Sequence, residues 1–219
     1  MNSVIRVHLQ TDSSQHKRLV ELQQAFAQVC NTLAPLAQRT GCWNRVALHH
    51  MAYRGLREQF PGLGSQRVCN AIYSVSRACR FVYQHPRSPF NAMRLAGKPL
   101  PKVQFLPQAP VYFDRHTLSL KDGQVSMFTL DGRMRFSLAL RSEDELRFRT
   151  DKLREIVLTS QAAEFSLSVT FAEESAQDER SEASARQAME LPEYVLVIED
   201  DLHAPAALTP QAHTPQATT

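Results

Sequence analysis

From Val4 to Gln10 the chain alternates, with Ile5, Val7 and Leu9 set between Val4, Arg6, His8 and Gln10. Period two over this length predicts a strand with one buried face, which must find its partners further along the chain. The period then lengthens. Asp12, Ser13 and Ser14 offer a helix start, and Leu19, Leu22, Phe26, Val29, Leu33 and Leu36 recur at steps of three and four, with Gln23, Gln24 and Gln28 on the opposite face. Pro35 weakens this helix and Thr40–Gly41 ends it. Two further helices form a pair around the Phe-Pro-Gly-Leu-Gly turn that starts at Phe60. The first carries Val46, His50 and Tyr53 on a mixed face. The second has Ser65 at its expected N-cap and an apolar stripe of Val68, Ile72, Val75, Cys79 and Val82.

Beyond His85-Pro86 the pattern becomes irregular, with Gly97, Pro99 and Pro101, and from Val103 it returns to period two. Strands are expected around Val111, Thr117–Leu120, Gln124–Phe128, Arg133–Leu138, Ile156–Leu158 and Glu164–Phe171, with Asp122-Gly123 and Asp131-Gly132 as two-residue hairpin turns. Short strands with tight turns argue for a small barrel or curled sheet. The first strand pairs with this later sheet, so the helices become an insertion. The fold class is α+β: a small antiparallel β barrel from residues 1–10 and 103–173, with a helical segment at 11–102 inserted. Residues 174–193 read as an acidic mobile linker, and 194–219 as an apolar strand, Tyr194–Ile198, with a disordered tail.

Charge sharpens this picture. The net charge of +3 averages over a gradient: residues 1–110 carry 14 Lys and Arg against 3 acidic side chains, and residues 161–219 carry 2 against 11. Across the helix pair Arg45, Arg54, Arg57, Arg67, Arg77 and Arg80 face a single carboxylate, Glu58. Solvated helices ordinarily mix both signs, so this arginine excess points to a polyanion, most simply nucleic acid. The basic segment that follows adds Arg87, Arg94, Lys98 and Lys102.

Other chemistries find little support. Cys30, Cys42, Cys69 and Cys79 lie on or beside helices without metal-finger spacing and read as buried thiols. His49 and His50 are adjacent and point to different helix faces, so they cannot chelate one metal. The serines on strands lack a nucleophile-elbow pattern. No metal, cofactor or catalytic residue is assigned, and the protein is expected not to be an enzyme. Without a signal peptide or an apolar run of membrane length, it is expected in the cytoplasm, with no membrane partner.

The order strand, amphipathic helix, W-N-R at Trp43–Arg45, F-P-G-L-G-S-Q at Phe60–Gln66, D-R-H-T-L-S-L-K at Asp114–Lys121 and L-D-G-R-M-R-F at Leu130–Phe136 resembles the N-terminal half of the TnpB-type transposon-encoded RNA-guided nucleases, relatives of the type V CRISPR effectors. The resemblance covers roughly Val4 to Phe171. It implies a helical recognition lobe inserted in a wedge-like barrel, with guide RNA and duplex DNA bearing a short target-adjacent motif as partners. Trp43, Asn44 and His49, with Gln66, Arg67 and Asn70, then lie where bases could be read. Arg45, Arg54, Arg57, Arg77, Arg80, Arg87 and Lys98 serve phosphates. Trp43 has a second reading, as a core anchor. The family's RuvC-like nuclease would begin near Val195, but Val197 and Asp201 stand where glycines belong and Glu199 where a metal-binding Asp belongs. The chain reaches Thr219 without the later carboxylates a two-metal site needs. The expectation is therefore a nuclease-lacking nucleic-acid binder. The alternatives are a truncated transposase remnant, or an N-terminal subunit joining a separately encoded nuclease half through Tyr194–Ile198.

Overall fold

The structure, a computed structural model, describes residues 4–138, 140–172 and 193–199. It is a mixed α+β fold with antiparallel sheets. Strand β1 (Val4–Leu9) pairs antiparallel with β8 (Glu164–Phe171), Val4 opposite Thr170 and Leu9 opposite Phe165, as its isolation in the sequence required. The sheet continues through β7 (Leu153–Gln161) to β3 (Val111–Phe113). A three-stranded meander holds β4 (Leu118–Lys121), β5 (Gln124–Thr129) and β6 (Gly132–Ser137), and a two-stranded sheet joins β2 (Lys102–Phe105) to β9 (Val195–Ile198). Among the described residues these three sheets do not close into a barrel. The apolar segment expected as a docking strand is thus paired within its own chain, Val195 opposite Phe105.

Helix α1 (Ser13–Thr40) begins in a capping box: Asp12 accepts from the Gln15 amide at 2.8 Å, and the Gln15 side chain accepts from the Asp12 amide at 3.0 Å. It runs through Pro35 and ends at Gly41, whose φ of 59° suits a residue without Cβ. Asn31 clamps this helix to β2, donating to the Phe105 carbonyl at 2.9 Å and accepting from its amide at 2.7 Å. Leu19, Leu22, Phe26, Val29 and Leu33 are buried as expected. Gln23 is not on a solvent face. It lies buried, donating to the carbonyls of Gln108 and Ala109 and accepting from the Ser160 hydroxyl, because α1 is covered by strand connections as well as by helices.

Helix α2 (Arg45–Gln59) touches the core along a narrow line, Leu48 and Leu56. Of the mixed face expected from Val46, Val46 and His50 are turned outward, Val46 63% exposed, while Tyr53 is half-buried against the core. Helix α3 (Ser65–Gln84) buries the whole stripe Val68, Ile72, Val75, Cys79 and Val82. Its N-cap is Gly64 rather than Ser65, and no side chain caps it. A fourth helix, α4 (Ser142–Thr150), was not anticipated; Glu145 on it accepts from the amides of Asp122 and Gly123 at the β4–β5 turn.

Helices and sheets share one contiguous apolar core, running from Leu19 and Phe26 through Val75 and Cys79 to Val111, Ile156 and Leu167. The basic segment after α3 is tied to it: Tyr83 donates to the Pro101 carbonyl and Gln38 to the Leu100 carbonyl, each at 2.6 Å. All four cysteines are free thiols; Cys30 and Cys79 are buried, while Cys42 and Cys69 are half-buried. No helix among the described residues is long and apolar enough to cross a membrane. Residues 173–192 and 200–219, including the acidic linker as far as residue 192 and the tail, lie outside the described residues.

Candidate nucleic-acid interface

Where α1 ends at Gly41 the chain turns sharply into α2, and this corner stands beside the outward stripe of α3 and the ends of β7 and β8. Between them lies a cleft of about 1180 Å³. The corner contributes Trp43, Asn44 and Arg45. Helix α3 contributes Tyr73, Arg77, Arg80, Phe81 and Gln84, a set with helical spacing. The sheet contributes Arg154, Glu155 and Thr170.

The walls are tied together by side chains. Ser76 on α3 donates to the Trp43 carbonyl at 2.6 Å, pinning the corner to the helix. The Trp43 indole N–H donates to the Gln84 Oε1 at 3.1 Å while its ring lies 5.4 Å from Tyr83. Trp43 therefore anchors the corner, as its second reading expected, while it also lines the cleft. The Arg45 guanidinium sits over the Tyr73 ring at 5.3 Å.

Four arginines meet one carboxylate here, and that carboxylate is taken: Glu155 pairs with Arg77 at 3.2 Å. Burial alone would lower the Arg77 pKa, but Tyr112 and Glu155 outweigh it and the guanidinium is held above its ordinary value. Arg45, Arg80 and Arg154 remain exposed. The arrangement offers cations to phosphates and ring faces to bases.

Of the residues expected from the sequence, the cleft gathers Trp43, Asn44, Arg45, Arg77 and Arg80. Asn44 enters it already employed, because its Oδ1 accepts from the amides of Val46 and Ala47 as the N-cap of α2. The remainder lie elsewhere. Arg54 pairs with Glu58 one turn on at 3.1 Å. Arg57 donates to the Leu63 carbonyl and so braces the turn that joins α2 to α3. His49 stacks on Tyr53 with ring centroids 4.6 Å apart. Gln66 is half-buried in the first turn of α3, and Arg87 and Lys98 are exposed on the basic segment.

Two expected contacts are corrected outright. Asn70 is buried and donates to the Tyr112 carbonyl at 2.9 Å, so its amide is spent on the fold. Arg67 is 3% exposed, with its guanidinium 4.3 Å from the Phe113 ring centroid and donating to the Phe128 carbonyl. Burial pushes its pKa down to about 10, against the pull of Asp114. It stays charged at neutral pH, but no phosphate can reach it.

Sequence reasoning missed Tyr73, Phe81 and Gln84, although they share the helical spacing of Arg77 and Arg80. It missed Arg154 as well, which no local pattern connects to the helices. No protein-family model and no curated protein sequence matches the chain.

Proposed function

We propose that this protein binds nucleic acid without cutting it, as a nuclease-lacking TnpB-like protein whose main partner is a guide RNA and whose second is target-adjacent duplex DNA. The observation that carries the reading is the cleft, where four arginines and three aromatic rings face a single, already paired carboxylate. Three exposed guanidinium groups beside three ring faces suit a phosphate chain carrying bases better than a neutral small substrate. The insertion of α1, α2 and α3 between β1 and its partner β8 supports reading the helices as a recognition lobe and the three sheets as an open, wedge-like counterpart. In such a system base pairing selects the target, and the protein reads shape and a short flanking motif.

The test is to purify the protein from its host at mild salt and sequence the RNA that accompanies it. One enriched species with a constant scaffold and a variable end is expected. Heterogeneous RNA that washes off as salt rises would reduce the cleft to non-specific attraction. Replacing Arg80 with Gln should lower the magnitude of the salt slope for RNA binding by about 0.7–0.9, one phosphate contact. Release of cut DNA by the pure protein in magnesium would sink the non-cleaving half of the proposal.

A further inference from the structure

The outer face of the β4–β5–β6 meander contains no residue of the cleft, yet it carries the same chemistry on an open sheet face. Antiparallel register places Ser119 beside Ser126 and Ser126 beside Arg135, and sets Phe128 directly opposite Arg133. Alternation puts Lys121 on this face too, while Leu118, Leu120, Val125, Met127, Met134 and Phe136 point into the core. The carboxylates of the meander, Asp122 and Asp131, belong to its turns; Asp122 reaches Lys121 at 3.6 Å, an exposed pair that a phosphate can replace, and among the described residues Arg133 and Arg135 face no carboxylate of the meander.

Phe128 is the feature that a solvated sheet face does not explain. It is 40% exposed, and the Arg133 guanidinium lies over its ring at 4.2 Å, itself exposed and within 3.1 Å of the Ser126 hydroxyl. A ring and a guanidinium stacked on one another and open to water present a π surface and a positive charge together. The strand beneath is held by two further cations. Arg67 donates from the interior to the Phe128 carbonyl, and Arg18 donates to the Thr129 hydroxyl at 2.7 Å and the Asp131 carbonyl at 3.2 Å. The charge of Arg67, buried directly under Phe128, adds to the positive potential at that point of the face.

We propose that this sheet face is a second nucleic-acid surface, one that takes single-stranded RNA, with a base stacked on the Phe128–Arg133 pair, phosphates on Arg135 and Lys121, and ribose hydroxyls within reach of Ser119 and Ser126. A duplex has no unstacked base to offer such a pair, and the serine hydroxyls suit the 2′-OH. The inference rests on the reading of the protein as an RNA binder but not on the cleft. It makes the protein a two-sided clamp, with the cleft holding one part of an RNA and the meander an unpaired stretch of it.

The experiment uses the full chain and a fluorescein-labelled oligouridylate of about 12 nucleotides, within the span of single-strand sites, with anisotropy read at several salt concentrations. Phe128→Ala is expected to weaken binding about tenfold without changing the salt slope, since it removes stacking and no charge. Phe128→Trp should restore the affinity, which separates stacking from any damage to the fold. Arg133→Gln should lower the magnitude of the slope by about 0.7. Arg80→Gln, in the cleft, should weaken a structured hairpin RNA more than it weakens the oligouridylate, and Phe128→Ala the reverse. If Phe128→Ala binds the oligouridylate as tightly as the parent, the proposal fails whatever the cleft variant does. If only the hairpin arm fails, it is the cleft reading that falls. Equal affinity for an oligothymidylate of the same length would overturn the assignment to RNA.

Discussion

Replacing Arg67 with Met tests whether the most deeply placed arginine of the chain belongs to the fold or to a ligand. The substitution removes a charge-assisted hydrogen bond to the Phe128 carbonyl, about 1.5–3 kcal/mol, and a cation–π contact with Phe113, about 1–2 kcal/mol. Against this, the guanidinium is held in a place where burial pushes its pKa down to about 10, a penalty on the charged form of about 3 kcal/mol. Its Nη1 is also buried without a hydrogen-bond partner. The terms nearly cancel, and the flexible Met side chain fills most of the space. Arg67→Met should therefore change stability by no more than about 1 kcal/mol, while Arg67→Ala, which adds a cavity, should destabilise by about 3 kcal/mol. Urea unfolding followed by circular dichroism reads both as midpoint shifts at constant slope. RNA binding by the Met variant should keep the parental salt slope, because no phosphate reaches this group. The reasoning is refuted if the Met variant loses as much stability as the Ala variant, or if its salt slope falls by the 0.7–0.9 of a lost phosphate contact.

Asn44→Ala should cost about 1 kcal/mol through the lost cap of α2, Asn44→Ser almost nothing, and neither should alter base preference in a binding assay across RNA sequences. The β7–β8 hairpin turns through Ala162 and Ala163 at φ 49° and 67°, a conformation that suits Asn-Gly, so the double change Ala162→Asn with Ala163→Gly should stabilise by about 1 kcal/mol in urea unfolding. Alkaline pH should destabilise the fold. Burial pushes the Cys79 thiol up to about 12 and raises Cys30 further still, with the Ser74 hydrogen bond working against it. Both states keep these protons below the unfolded thiol pKa of about 8.5. Above it only the unfolded chain releases them, removing up to about 1.4 kcal/mol per pH unit for each thiol until the folded pKa is reached. Unfolding midpoints between pH 8 and pH 10.5, flat for the parent protein, would contradict this.

The helical stripe of α3 was legible because five apolar residues repeat over a long element, and the β4–β5 turn because Asp122 and Gly123 both adopt the positive φ their types favour, 53° and 68°. The next turn was misplaced by one residue. It is Leu130 and Asp131 that reverse the chain between Thr129 and Gly132, while Gly132, at φ 90°, opens β6. The Ala162-Ala163 turn carries no turn chemistry at all and could be found only from the two strands around it. Helix α4 holds too few apolar side chains for a period; its signal was electrostatic, with Glu143, Asp144 and Glu145 in the first turn and Arg147 and Arg149 in the last, matching the helix dipole. At the site, counting charges identified Arg77 and Arg80 but could not tell them from Arg67. Helix α3 is packed on several sides, so which arginine faces water depends on strands that lie far along the chain. Arg154 was hidden for the same reason.

The pairing of β1 with β8 makes the order of synthesis matter. Val4 leaves the ribosome roughly 160 residues before the strand that completes its hydrogen bonds, a wait of about 8–30 s at ordinary elongation rates. For that interval its edge is bare, while α1, whose apolar face is ready early, can pack on α3 and then on β2 as they emerge. The four-stranded sheet thus closes only when β8 arrives, with β9 still to come for β2, and a pause in translation before Glu164 would leave a basic helical body with an open strand in the company of cellular RNA.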